Sequence, residues 1–206
     1  LMFDYVAQCM LKGPTGEKGW AFEDEVIFLC PAPGYDRHFS ICEYLGIKMV
    51  NVPMLATGPD MDVVEELVKN PKVKGLFCVP KYSNPMGITF SDETVERFAK
   101  LKPAAKDFRV IWDNAYCIHD LYEESDKLLN ILTEAAKYGN EDTFVVFTST
   151  SKITYPGSGV SAIAASTNNI KAIMARLTMQ TIGHDKINQL RHARAFKDMK
   201  ALNEHM

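Results

Sequence analysis

The chain has 206 residues, 47% of them apolar and 24% charged, which is the make-up of a globular domain rather than a disordered or fibrous chain. Lys and Arg total 23 against 26 Asp and Glu, a net charge of −3, so no basic excess exists to neutralise nucleic-acid phosphates. No apolar run approaches the roughly 18 residues that a bilayer span needs, and the opening residues lack the basic-then-apolar pattern of a signal peptide. The five cysteines show no C-x-x-C spacing and the five histidines no H-x-x-H or H-E-x-x-H pattern, which predicts reduced thiols, a cytoplasmic location and no metal site.

Strand-like and helix-like segments then alternate along the chain, the signature of an α/β domain with a largely parallel sheet. Residues 2–12 read as a helix ended by Gly13-Pro14, and 25–30 (EVIFLC) as a short strand running into the turn Pro31-Ala32-Pro33-Gly34. A helix is predicted over 36–45, a strand over 47–52, and a helix over 61–70 with Asp60 as its N-cap. Residues 75–79 (GLFCV) read as a buried strand ending in the turn 80–87, followed by a helix over 91–101 with Ser91 as cap. The remaining expectations are a strand at 109–112 running into Asp113, a helix at 127–138, a strand at 143–147, a strand at 160–165, and helices at 170–180 and 185–199. The loop 155–159 (YPGSG) is the most flexible stretch by composition.

In open α/β sheets, ligands bind outside the carboxyl ends of the strands. Four places put polar side chains there: Tyr35 after EVIFLC, Asn84 in Asn84-Pro85-Met86-Gly87 after GLFCV, Asp113 and Tyr116 after RVIW, and Ser149, Ser151 and Lys152 after TFVVF. Singly, each has an ordinary structural explanation. An Asn-Pro-x-Gly segment is usually just a turn, an Asp at a strand end usually caps a helix, and a lysine in a Ser-rich loop is usually a surface lysine.

Together, in this order, they resemble the fold-type-I pyridoxal-phosphate enzymes, specifically the class I aminotransferases, whose motifs run aromatic, N-P-x-G, D-x-x-Y, S-x-S-K. The resemblance covers essentially the whole chain. The segments PGYDRHF, SKITYPGSGV and QTIGHDKINQLRH look most similar to the bacterial aspartate aminotransferase branch called subgroup Ic. It implies the three-layer α/β/α large domain, mostly parallel with one antiparallel strand. Residues 1–166 would be the central part of the cofactor domain and 167–206 its helical continuation. The N-terminal phosphate loop and the C-terminal small domain would be absent. The chain opens on Leu1 inside an apparent amphipathic helix, and so reads as a fragment that would be inactive in isolation.

The resemblance assigns pyridoxal 5′-phosphate as cofactor and Lys152 as the amine that forms the Schiff base and then moves the α-proton. Asp113 would hold the ring nitrogen protonated, with His38 as its partner. Asn84 and Tyr116 would donate to the ring hydroxyl oxygen, Tyr35 would stack on the ring, and Ser149 and Ser151 would hold the phosphate. The sequence departs from the family pattern at Val160, where many members carry a phosphate-pairing arginine. The implied reaction exchanges amino and oxo groups between an amino acid, aspartate or similar, and a 2-oxo acid through pyridoxamine phosphate, in a homodimeric full-length protein. Two alternatives stay open: a carbon–sulfur lyase on the same fold, and the aminotransferase-like sensor module of a transcription regulator.

Overall fold

A computed structural model describes residues 1–120, 122–154 and 157–206. Tyr155 and Pro156, and with them part of the 155–159 loop singled out by composition, lie outside the described residues.

In chain order the elements are α1 (Met2–Lys12), β1 (Ile27–Ala32), α2 (Asp36–Tyr44), β2 (Lys48–Leu55), β3 (Gly58–Pro59), α3 (Met61–Leu67), β4 (Val73–Cys78), α4 (Asp92–Ala99), β5 (Arg109–Asp113), α5 (Ile131–Ala136), β6 (Phe144–Ser149), β7 (Ser161–Ala165), α6 (Thr167–Gln180), α7 (Lys186–Ala195) and α8 (Met199–His205). The strands form one sheet in the order β3-β2-β1-β4-β5-β6-β7. β2, β1, β4, β5 and β6 are parallel. β7 runs antiparallel to β6, as expected, and the two-residue β3 adds a second antiparallel pairing on β2 that the sequence did not signal.

The apolar strands are buried on both faces, and alternation decides which face each side chain takes. Leu29, Leu76, Val110, Trp112 and Phe144 point to the layer holding α3, α4 and α5. Phe28, Cys30, Phe77, Ile111, Val145 and Phe147 point to the layer of α1, α2 and α6. Fully burying one such side chain contributes roughly 1.5–3 kcal/mol, so the two cores outweigh any single cap or ion pair. The result is the expected three-layer α/β/α architecture.

Helix starts are set by side-chain caps that take up otherwise unpaired amides. Asp60 accepts from the Asp62 and Val63 amides, and Ser91 accepts from the Thr94 amide. Two predicted helices are corrected. The helix expected from Lys127 begins at Ile131, because Asn130 accepts from the amides of Leu132 and Thr133; Leu128 and Leu129 instead pack on the core from a non-helical segment. The helix expected over 185–199 is two helices, because α7 ends at Ala195 and Asp198 accepts from the Ala201 amide to start α8. Neither α7 nor α8 contains a buried residue, whereas α6 buries Ile173 and joins the sheet through Asn169, which accepts from the Arg109 guanidinium at 3.1 Å. No helix among the described residues is long and apolar enough to cross a membrane.

The chain proceeds from β1 outward to β2 and β3, then returns past β1 to lay down β4, β5 and β6 on its other side. The strand order therefore reverses between β1 and β4, and a crevice opens there beyond the carboxyl ends of the strands.

Candidate active site at the carboxyl ends of the strands

A cleft at the β1/β4 reversal is lined by Tyr35, His38, Phe77, Ser83, Asn84 and Phe90, among others. Tyr35 is the last residue before α2, and its carbonyl accepts from the His38 amide at 3.0 Å. His38 is almost fully buried, with its ring stacked on Phe77 at 4.6 Å between centroids and met edge-on by Tyr35 at 5.2 Å. Its Nε2 lies 3.0 Å from Oδ2 of Asp113, 75 residues further along the chain.

Sheet parity explains that meeting. Asp113 shares the face of Ile111, the face that α2 covers, and His38 is the residue of α2 that points to the same strand ends. With the carboxylate ionised, Nε2 must carry the hydrogen and donate it. The charge is felt in the core: the fully buried Cys78 thiol is pushed well up, first by burial and then by the Asp113 carboxylate.

The register pairs Asp113 with Phe147, so Thr148 and Ser149 project just beyond the acid. Asp113 and Ser149 line a second cleft together with Leu1 and Met2 at the start of α1. Past Ser149 the chain turns back. The Thr150 amide donates to the Val160 carbonyl and the Val160 amide donates to Thr150 Oγ1, both at 2.8 Å. Ser151 closes on Gly159, where a β-carbon would stand 2.9 Å from Ser151 Oγ, so only glycine lets the two arms of this loop approach.

That loop delivers Lys152, which is solvent-exposed. Its Nζ lies 3.7 Å from the centroid of the Tyr116 ring and 6.0 Å from that of Tyr35, positions where a cation is attracted to the ring face. The structure thus gathers Tyr35, His38, Asn84, Asp113, Tyr116, Ser149 and Lys152 along one edge of the sheet. Ser151 follows in the same turn, its amide donating to Ser149 Oγ at 3.4 Å. Val160, at the position of the family's arginine, is engaged with Thr150 instead.

Sequence reasoning missed three residues of this region. His119 meets Tyr116 edge-on at 5.5 Å, and neither ring nitrogen has a hydrogen-bond partner among the described residues. Burial holds its imidazole below the ordinary value of 6.5. Lys81 and Asp120 form an ion pair beside it. Lys81 lies three residues before Asn84, and His119 and Asp120 lie three and four residues after Tyr116; proximity to a motif was the one signal available for them.

The donor chemistry fits a phosphorylated pyridine aldehyde. An acid held by a buried imidazole suits a ring cation, an exposed amine between two aromatic faces suits an aldehyde, and hydroxyls stand where β6 ends. This sheet, with its site at the strand ends, is the large domain of a fold-type-I aminotransferase. The chain belongs to the aspartate aminotransferase family, whose model matches residues 1–206. The aspartate aminotransferase of Corynebacterium glutamicum is 45% identical over 203 residues, which cover 98% of this chain and 47% of that protein. The crystal structure of an aspartate transaminase from the same organism superposes with a TM-score of 0.96 at 44% identity, covering 99% of this chain and 48% of the other. An α-aminoadipate aminotransferase from Thermus thermophilus, complexed with N-(5′-phosphopyridoxyl)-L-leucine, superposes at 0.76 over 98% of this chain and 49% of its own; at 21% identity this shows the shared fold alone. The chain spans about half the length of the curated relatives it matches.

Proposed function

We propose that the protein carrying this chain is a pyridoxal-phosphate-dependent transaminase of the subgroup Ic type. It would act on aspartate or a similar dicarboxylic amino acid with 2-oxoglutarate, as a cytoplasmic homodimer. Residues 1–166 would hold the cofactor and residues 167–206 would continue the same domain. The observation that carries the reading is the placement of the Lys152 amine against Tyr116 and Tyr35, on the edge where His38 holds Asp113.

When bound, the cofactor supplies an aldehyde for the amino group and a ring that accepts electrons. Asp113 would hold a proton at the ring nitrogen, and His38, donating through Nε2, would keep the acid aimed. Tyr35 would stack on the ring face. Asn84 and Tyr116 would donate to the ring oxygen and so favour its charged form. Ser149 and Ser151 would donate to the phosphate, and with Val160 in place of arginine, hydroxyls and backbone amides would carry that contact. Lys152 would take the substrate's α-proton as base and return it as acid.

The test uses the full-length protein. After addition of pyridoxal phosphate and reduction with borohydride, the cofactor is expected on the peptide containing Lys152, and Lys152→Ala is expected to lose it. In a separate, unreduced sample, aspartate should pass its amino group to 2-oxoglutarate. Fixation on another lysine would sink the assignment, and pyruvate release from an amino acid with a β-sulfur leaving group, without amino transfer, would mark an eliminating enzyme instead.

A further inference from the structure

Two loops carry the donors assigned to the ring oxygen. One follows β4 and holds Asn84; the other follows β5 and holds Tyr116. Each is internally closed. The Ser83 amide donates to the Ile88 carbonyl at 2.9 Å and the Ile88 amide to Ser83 Oγ at 3.1 Å, while the His119 amide donates to the Tyr116 carbonyl at 3.2 Å. Each loop is thus tied within itself, and a contact that joins the two loops bears on the spacing of the two donors.

The join is an ion pair out of place for a surface salt bridge. The Lys81 side chain is only 7% exposed, and its Nζ donates to Asp120 Oδ1 at 2.7 Å and to the Cys117 carbonyl at 3.3 Å. The Tyr82 hydroxyl donates to the same carboxylate oxygen at 2.8 Å and accepts from the Asp126 amide at 3.2 Å. A lysine left at the surface would keep its hydration, whereas burying it demands a partner of opposite charge. Tyr82 sits at φ 48°, a left-handed conformation unfavourable for a bulky residue, and such a conformation persists only where its surroundings over-determine it. The Lys81 hydrogen bond, aided by Tyr82, holds the Asp120 carboxyl below the ordinary carboxylate value.

We propose that Lys81 and Asp120 are positioning residues, whose ion pair locks the Asn84 loop to the Tyr116 loop and so sets how both donors meet the cofactor's ring oxygen. Neither residue lines the cleft at the β1/β4 reversal. The proposal rests on the functional reading above for the identity of the ligand, but the clamp itself exists without it.

The experiment uses the full-length protein with Lys81→Met, Lys81→Arg and Asp120→Asn. Hydrogen exchange on the cofactor-free protein should speed up in both 83–88 and 114–119 for Lys81→Met, and stay near wild type for Lys81→Arg, which keeps the charge pair. With cofactor bound, Lys81→Met should raise the dissociation constant about tenfold. The pH midpoint of the visible absorbance change should rise by roughly one unit, because the donors that favour the charged oxygen are misplaced. If Lys81→Met does not fold, Asp120→Asn, at a partly exposed site, should show the same exchange and spectral changes at smaller amplitude. Faster exchange confined to residues 80–82, or an absorbance midpoint and dissociation constant equal to wild type, would overturn the proposal. Absence of any cofactor binding by the wild-type protein would instead overturn the functional reading and leave the exchange result to judge the clamp.

Discussion

Gly75 gives the sharpest test of how the core supports the site. It lies in β4 opposite Phe28 of β1, and a β-carbon added there would stand 2.3, 2.5 and 2.6 Å from three atoms of the Phe28 ring. Phe28 is wholly buried and cannot swing clear, since Trp20 meets it edge-on at 5.6 Å and Phe77 packs on it at 5.4 Å. Phe77 in turn is the ring on which His38 stacks. A methyl at 75 would therefore push a chain of rings that ends at the partner of Asp113. Overpacking of a tight core costs typically 1–3 kcal/mol, and contacts this short against an immobile ring place Gly75→Ala at the upper end, about 3 kcal/mol. Phe28→Leu alone would cost about 1–3 kcal/mol as a large-to-small change. It also vacates the volume the methyl needs, so the double variant should lose less than the two singles together, by at least about 1 kcal/mol of coupling. Urea unfolding of the full-length protein, followed by circular dichroism, measures all four corners of the cycle. A near-neutral Gly75→Ala, or strictly additive losses, would show that the ring contact does not constrain the sheet.

Two further outcomes are expected. Asp107 accepts from Lys74 Nζ and Trp20 Nε1, each at 2.8 Å, so Asp107→Leu strands a part-buried ammonium and a buried indole N–H and should cost about 3 kcal/mol in urea unfolding. Adding Lys74→Met should recover most of that loss, and failure to recover it would show that the pair does not act as a unit. For His119, burial lowers the folded-state pKa below the ordinary 6.5, so the unfolded chain binds the extra proton first. Its contribution is then fully present above about pH 6.5 and is lost as pH falls through the lowered folded value. The stability difference between about pH 8 and about pH 5 should accordingly be smaller in His119→Gln than in wild type. An identical pH profile in the variant would remove His119 as the titrating group.

Most secondary structure was legible because it is written in local periods. Alternation and apolar runs marked the strands, and Asp60 and Ser91 announced their helices by the capping chemistry the structure displays. Where local signals competed, the reading failed. The apolar stretch before Ile131 looked helical, yet Asn130 takes the first amides and starts α5 later, and Asp198 likewise breaks the final helix in two. The two-residue β3 was invisible because its pairing with β2 depends on backbone, not on a side-chain pattern.

By itself, the sequence determined the α/β class, the order of polar residues at the strand ends and the aminotransferase-like motif series, because each is a property of neighbours along the chain. Tertiary structure alone decided that β1 lies beside β4, that His38 meets Asp113, that Gly75 receives the Phe28 ring, and that Lys81 pairs with Asp120. Those contacts join residues tens of positions apart. Such a meeting depends on strand order, register and face together, and no local pattern carries all three.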